Sequence, residues 1–110
     1  MKGLNKIELI GNLGQDPEIV NLENNSKLAR FSVATSEKYS DRNGNIQTTT
    51  EWHKVICWNK LADIAEKYIT KGDKIFIEGK MTYRKYTNND GFEVQVAEIV
   101  SQNLIMLNSK

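Results

Sequence analysis

The sequence predicts an all-β domain with a single helix, and three observations carry this prediction. Most of its segments alternate apolar and polar residues or are rich in β-branched and aromatic residues, as strands are. Asn43-Gly44 and Asp90-Gly91 are dipeptides typical of β-hairpin tips. One segment after Trp58 instead repeats its apolar residues with a helical period. A length of 110 residues suits one domain, spanning 1–110.

Three strands are predicted before the helix. KIELIG (6–11) alternates and ends at Gly11, after which NLGQDPE (12–18) is predicted to be a loop. Residues 27–36 alternate, with apolar residues on one face, and follow a turn at NNS. Residues 48–58 are rich in Thr, Val, Ile and Trp, which favours a third strand.

The helix and two further strands complete the chain. The helical face consists of residues spaced i, i+3, i+4 and i+7: Leu61, Ile64, Ala65 and Tyr68. Asn59 is the expected N-cap and Gly72 the expected C′ residue. Residues 74–86 and 92–100 are predicted strands, and 103–107 a further short one.

Five strands with one helix between the third and the fourth, and two long hairpin arms, fit a Greek-key barrel. The predicted fold is therefore a five-stranded barrel of the OB type. Such barrels often bind oligonucleotides on one face and between their loops.

Composition excludes several classes of protein. No run approaches 18 apolar residues, so no membrane span is expected, and the N-terminus lacks the pattern of a signal peptide. The single Cys57 cannot form an internal disulfide, and with His53 alone it cannot make a metal site. We expect no metal, no cofactor and a cytoplasmic location. The net charge of +1 means that any nucleic-acid contact depends on locally placed cations.

The stretch EWHKVICWNK (51–60) is the richest in candidate functional residues. On a strand, one face carries Trp52, Lys54, Ile56 and Trp58, and the other carries Glu51, His53, Val55 and Cys57. Bases stack on aromatic rings and phosphates need nearby cations, so the first face predicts nucleic-acid binding. In the alternative interpretation both tryptophans pack in the core and Lys54 extends out to water.

A catalytic pair is not expected in this stretch. His53 and Cys57 share a face, but four residues along a strand span about 13 Å. A nucleophile and its base need about 3 Å. A protein without enzymatic activity is therefore predicted, with a small hydrolase using His53 or Cys57 as one alternative. A second alternative is an OB-type accessory module that mainly binds proteins.

Two other segments pair aromatic residues with cations. In the strand 74–86, Lys80, Arg84 and Tyr86 are expected on one face, with Tyr83 and Lys85 on the other. Tyr39 lies beside Lys38 at the base of the first predicted arm. An exposed tyrosine on a polar hairpin has little core to join, which favours binding.

Ordered motifs along almost the whole chain resemble the bacterial single-stranded DNA-binding protein family. They are NKIELIGNLGQDPE (5–18), ARFSVATSEKY (29–39), TEWHKVICWNKLADIAEKYITKGDKIFIEGK (50–80) and TYRKYTNNDG (82–91). The resemblance implies an OB fold, non-catalytic coating of single-stranded DNA in replication, recombination and repair, and usually a homotetramer. It also implies association with the bacterial nucleoid.

The resemblance assigns roles to particular residues. Base stacking falls on four aromatic residues: Tyr39, Trp52, Trp58 and Tyr86. Phosphate contacts correspond to six cations: Lys2, Lys54, Lys60, Lys71, Arg84 and Lys85. The family's interface histidine falls on His53, and we expect the subunit contact to include Ile7, Leu9 and Val55 as well.

The C-terminus departs from the family pattern. Many members carry a flexible tail with an acidic, Phe-ending tip that recruits repair proteins, whereas this sequence stops at LNSK. Tail-dependent repair partners are therefore not expected for this chain, although the sequence does not distinguish a natural tailless form from a truncation.

Overall fold

A computed structural model describes residues 2–108, so the last two residues of the LNSK end lie outside the described part. The elements in chain order are β1 (Ile7–Leu13), β2 (Glu18–Asn21), a 3-10 turn (Glu23–Asn25), β3 (Lys27–Ser40), β4 (Ile46–Trp58), α1 (Lys60–Tyr68), β5 (Lys74–Thr87) and β6 (Glu93–Met106). Among these residues no helix is long and apolar enough to cross a membrane.

The strands close into a barrel. Their order is β1-β5-β6-β4-β3-β2, and β1 also pairs with β3 through Asn12↔Ala34 and Leu13↔Val33. The five long strands form the predicted five-strand barrel with one helix, which is confirmed. The short β2 adds a sixth strand on the edge of β3, so α1 lies between β4 and β5.

Two strand ends differ from the sequence-based expectation. β1 continues through Gly11 to Leu13, because Gly11 is the point where the strand passes from β5 to β3. A Cβ at Gly11 would overlap the carbonyl oxygen of Ala34, so glycine permits this crossing rather than ending the strand. The expected separate strand at 103–107 is the continuation of β6.

The helix begins where predicted but is capped and oriented differently. Asn59 occupies the N-cap position, but its side-chain oxygen accepts the N–H of Lys27 (3.1 Å) and makes no cap bond. Gly72 is not the C′ residue: α1 ends at Tyr68, and Gly72, with φ +92°, lies in a later turn.

The buried face of the helix agrees with the prediction only in part. Ala65 is buried and Leu61 packs against the core, as predicted, but Ile64 and Tyr68 are exposed and Ala62 is buried in their place. Small alanines allow α1 to lie close against the barrel, where a larger side chain would hold it away.

The core fills the inside of the barrel. Its buried members are Leu13, Ala29, Phe31, Val33, Val55, Cys57, Ala62, Ala65, Ile69, Ile75, Ile77 and Ile99. Ile7 and Leu9 are half-buried and pack against this core. Val55 is only 1% exposed, so it offers no surface to a second folded copy, in contrast to the expected subunit contact.

Both predicted hairpins form and extend from the barrel as arms. In each turn a side-chain oxygen accepts two backbone N–H groups: Asp41 Oδ1 from Asn43 and Asn45, and Asn88 Oδ1 from Asp90 and Phe92. The chain of β3 and β4 forms the first arm and that of β5 and β6 the second. The molecule accordingly measures 56 × 44 × 37 Å.

Candidate nucleic-acid interface

The outward side chains of β4 form the centre of the candidate site. Trp52 is 60% and Trp58 43% exposed, Lys54 is exposed between them and Ile56 is half-buried. The intervening side chains point inward, as the alternation predicts. The two rings lie six residues apart, which is about 20 Å along a β-strand. A bound nucleic-acid strand would therefore contact them with different bases.

The side chain of Trp52 packs against the loop that follows β1. The edge of its ring lies so close to Gly14 that a Cβ there would overlap Cζ3 and lie 3.0 Å from Cη2. The backbone of Gly14 is itself fixed, because its N–H donates to the carbonyl oxygen of Ser32 (2.9 Å). The loop therefore supports the exposed ring from one side.

β5 contributes Arg84 and Tyr86 to the same outer surface. β6 lies between β4 and β5, so these side chains face Trp52 and Lys54 across one strand rather than from a neighbouring one. The guanidinium of Arg84 lies 5.8 Å from the centre of the Tyr86 ring, which is within cation–π range.

The Arg84 guanidinium is also engaged by a buried carboxylate. Nε and Nη2 donate to the two oxygens of Glu98 at 2.9 and 3.0 Å. This hydrogen bonding, followed by the charge of Glu98, raises the pKa of Arg84 above its ordinary value. Glu98 is 4% exposed, although its position in β6 points away from the core residue Ile99.

A groove opens between the two arms. β4 and β6 pair only through Val55↔Ile99 and Ile56↔Val100, so the strands diverge beyond this point. The opening is lined on one side by residues of β4 and on the other by residues of the second arm, among them Trp52, Lys54, Tyr86, Val94 and Val96. An extended chain with flat side groups fits such a groove, since rings stand on both walls.

Two predicted contacts lie on other faces of the arms. Tyr39 pairs with Gln47 and, by the strand register, shares its face with His53 rather than with Trp52. Lys85 pairs with Gln95 and lies on the face opposite Arg84 and Tyr86. A nucleic-acid strand that contacted both Trp52 and Tyr39 would have to pass around the edge of the first arm.

The remaining predicted cations are exposed and spread over the surface. Lys2 precedes β1, Lys60 begins α1 and Lys71 follows the helix. Lys85 has an ion pair with Glu93 (3.6 Å), whereas Lys54 makes none with any residue in 2–108. Lys54 thus places an available charge between the two tryptophans on the outer face of β4.

His53 and Cys57 show no catalytic arrangement. His53 Nε2 lies 2.9 Å from the hydroxyl of Thr35, and Cys57 is buried in the core. Burial raises the pKa of the Cys57 thiol to about 11, so it is not a thiolate near neutral pH. Within the described part of the chain, no three His, Cys, Asp or Glu side chains come together as metal ligands.

The family model described as the single-strand binding protein family matches residues 4–107. The chain belongs to this family. Its members are binding proteins rather than enzymes, which confirms the prediction of a non-enzymatic protein.

Curated relatives agree with this assignment. This single-strand binding protein is 42% identical over 110 residues to the single-stranded DNA-binding protein 1 of Chlorobaculum tepidum, and covers 99% of its own length and 68% of the relative. It is 44% identical over 107 residues to the single-stranded DNA-binding protein of Neisseria meningitidis serogroup A, covering 97% of itself and 62% of the relative. The chain thus spans about two thirds of the length of these relatives.

Two solved structures share the fold. The Plasmodium falciparum SSB in complex with ssDNA superposes with a TM-score of 0.90 at 35% identity, over 98% of each chain. A deletion mutant of the single-stranded DNA binding protein from Thermus aquaticus has a TM-score of 0.83 at 21% identity, over 98% of this chain and 52% of the other. The second likeness concerns the fold alone.

Sequence reasoning missed Gly14 and Glu98 in this site. Glu98 left a signal, since it is the one charge within the run VQVAEIV and a charge buried in a strand needs a partner. Gly14 left none, because its role depends on a ring that is 38 residues away in sequence.

Proposed function

We propose that this protein binds and protects single-stranded DNA without regard to base sequence, during replication, recombination and repair in the bacterial cytoplasm. Trp52, Trp58 and Tyr86 stack on bases from the outer face of the barrel, and Tyr39 contacts the strand where it passes around the first arm. Phosphates are neutralised by exposed lysines: Lys2, Lys54, Lys60, Lys71 and Lys85.

One observation carries this proposal: two tryptophans stand exposed on β4 on either side of Lys54, which has no ion pair within residues 2–108. An exposed tryptophan leaves a large apolar ring in contact with water, which is unfavourable. Two such rings on one strand face therefore indicate a ligand with flat apolar surfaces that covers them. A stacked base supplies such a surface, and each stack contributes about 1–3 kcal/mol. Family membership and the relatives' names point to the same ligand.

The same geometry explains a preference for single strands. The rings offer π-faces and the lysines offer charge, and neither reads the edge of a base. In a duplex the base faces are stacked on one another and are closed to Trp52 and Trp58. Duplex DNA would meet only the lysines of a protein whose net charge is +1.

We also propose that the protein assembles into a homo-oligomer, a tetramer being the expected form. An apolar row crosses the outside of the barrel, where Ile10 on β1 lies opposite Phe76 on β5, which lies opposite Ile105 on β6. Ile10 is 55% and Ile105 47% exposed. This row lies on the outer surface, so we propose that it contributes to the subunit contact in place of the buried Val55.

Fluorescence titration tests the binding proposal. Oligo(dT) should quench the tryptophan fluorescence strongly, and a duplex of equal length should hardly change it. Trp52→Ala and Trp58→Ala should each weaken oligo(dT) binding by roughly 1–3 kcal/mol. Tyr68→Ala is the matched control, because Tyr68 is an exposed ring on α1, away from the outer face of β4.

The outcome that would refute the proposal is equally specific. If both tryptophan variants fold and bind oligo(dT) as the parent does, the rings do not stack on bases. If duplex binds as tightly as oligo(dT), charge alone accounts for binding.

A further inference from the structure

We infer that Phe92 provides an additional base-stacking site, at the end of the β5–β6 arm. This inference rests on the proposed binding of single-stranded DNA and extends it to a residue to which the sequence motifs assign no role. The site would accept the flat face of a nucleotide base as the strand leaves the groove between the arms.

The strand register places Phe92 on the same face of the arm as Tyr86. Tyr86 lies opposite Val94, and at the turn the Asn88 N–H donates to the Phe92 carbonyl oxygen (2.9 Å), so Asn88 lies opposite Phe92. Alternate residues of a strand share a face, so Phe92, Val94 and Val96 stand together. Phe92 and Tyr86 are therefore diagonal neighbours, about 7–8 Å apart between backbones.

The backbone under Phe92 is held in place by Asn88. The Asn88 side-chain oxygen accepts the N–H of Phe92 (3.0 Å) and that of Asp90 (3.0 Å), while Gly91 takes the positive φ of +85° that the turn requires. A ring on such a turn is presented in a defined position, which lowers the entropy cost of binding.

The Phe92 ring is open to a ligand. The residue is 69% exposed, more than either tryptophan, although it has no polar group to interact with water. It lies next to the lining of the groove, because the half-buried Val94 and Val96, which share its face, line the groove together with Tyr86. Phe92 thus extends the face of Tyr86 towards the arm tip.

The surroundings of Phe92 favour a base over another protein subunit. Its sequence neighbours include the polar residues Asn89, Asp90 and Glu93. The apolar residues that share its face, Val94 and Val96, are half-buried, so they add little exposed apolar area to the ring. Stable subunit contacts need several hundred Å² from each partner. The two carboxylates also repel phosphates, so they would direct the uncharged face of a base to the ring.

The experiment compares Phe92→Ala and Phe92→Leu with the parent over oligo(dT) lengths from about 4 to about 16 nucleotides. Leucine keeps apolar bulk but removes the aromatic face. Tyr83→Ala is the matched control, because Tyr83 is 64% exposed and lies on the opposite face of the same arm. Light scattering on each variant reports the assembly state, and the Trp52→Ala variant reports the central site.

We expect Phe92→Ala to leave the affinity for the shortest oligo(dT) unaffected and to lower the affinity for the longer oligo(dT) by about tenfold. Phe92→Leu should bind the longer oligo(dT) nearly as weakly, and Tyr83→Ala should bind every length as the parent does. If Phe92→Ala binds oligo(dT) of every length as the parent does, while Trp52→Ala binds more weakly, this inference is overturned. The proposed function is then still supported. A smaller assembly for Phe92→Ala would assign the ring to a subunit contact and also overturn it. If Trp52→Ala has no effect either, the proposed function and this inference both fall.

Discussion

The guanidinium of Arg84 is held by both carboxylate oxygens of Glu98, at 2.9 and 3.0 Å, on the outer surface of the barrel. Glu98 is 4% exposed, so the pair is fixed from beneath by a group that solvent hardly reaches. A positive charge already matched in this way neutralises little of the charge of an approaching phosphate, so few counterions of the DNA are released. We therefore propose that Arg84 supports Tyr86 and the groove wall rather than making the phosphate contact that the family resemblance implies.

We predict that Glu98→Gln will make binding more dependent on salt. Glutamine keeps the size of Glu98 and one oxygen acceptor, but it frees the charge of Arg84 for a phosphate. For single strands each neutralised phosphate changes the slope of log K against log salt by about −0.7. Titrations of oligo(dT) at several salt concentrations should give a slope steeper by that amount, and tighter binding at low salt.

Glu66→Gln is the control for the change in net charge. Glu66 pairs with Lys27 at the helix (2.7 Å), outside the outer face of β4, so its loss should leave the slope as it is. An unchanged slope for Glu98→Gln would mean that Arg84 already neutralises a phosphate in the parent.

Gly14→Ala is predicted to weaken oligo(dT) binding by about tenfold, which is 1.4 kcal/mol, by displacing the Trp52 ring from its position over the loop. The added Cβ would overlap the ring edge, and a rigid indole moves only as a whole. Gly3→Ala is the matched control, since a Cβ there meets nothing within 4 Å. Equal affinities of the two variants for oligo(dT) would show that binding by Trp52 does not depend on its contact with Gly14.

Ile105→Glu should shift the protein towards smaller assemblies. A charge at the β6 end of the row formed with Ile10 and Phe76 would have to be buried without a partner if two copies met there. Light scattering at micromolar concentration measures the change against the protomer mass of 12.6 kDa.

The control for this prediction is Ile46→Glu, because Ile46 is 72% exposed at the start of β4, on the first arm and away from the row. A parent of 12.6 kDa would refute the assembly proposal itself. An assembly that survives Ile105→Glu would refute only the position of the contact.

The buried thiol of Cys57 is expected to make the folded protein less stable at alkaline pH. Burial raises the pKa of the thiol from 9.0 to about 11. Above pH 9 the unfolded chain therefore releases a proton that the folded chain keeps, so the free energy of unfolding falls as the pH rises towards 11. The linkage amounts to about 1.4 kcal/mol per pH unit in that interval.

Urea denaturation of the parent and of Cys57→Ala, from pH 8 to pH 10.5, isolates this contribution. Other titrating groups are common to both proteins, so the stability advantage of the parent should shrink with rising pH. Parallel stability curves would contradict the prediction.

Local sequence patterns predicted the strands and the direction of their side chains. Alternation in β3 and β4 placed Ala29, Phe31 and Val33 on one face of β3 and Trp52 and Trp58 on one face of β4, since neighbouring residues of a strand point to opposite faces. The structure then showed that the first face is buried and that both tryptophans are exposed, which the alternation had left open. The two hairpin tips were predicted because Asn43-Gly44 and Asp90-Gly91 suit backbones with positive φ.

Patterns failed where a residue's role depends on a distant partner. The helical period predicted Ile64 and Tyr68 on the same face as Ala65, but the helix turns Ala62 rather than these two larger side chains towards the barrel. Gly72 suited a helix end by type, yet its N–H is used by the carbonyl oxygen of Leu13 in a turn (2.8 Å).

The sequence by itself determined the class of fold, the family and the strand face that Trp52 shares with Trp58, because alternation and turn chemistry are local properties of the chain. Only the tertiary structure decided which of these residues work together. It put β6 between β4 and β5, placed Tyr39 on a different face from Trp52, and brought Glu98 to Arg84 and Gly14 to Trp52. Such contacts arise from barrel closure and strand register, which join residues that are far apart along the chain.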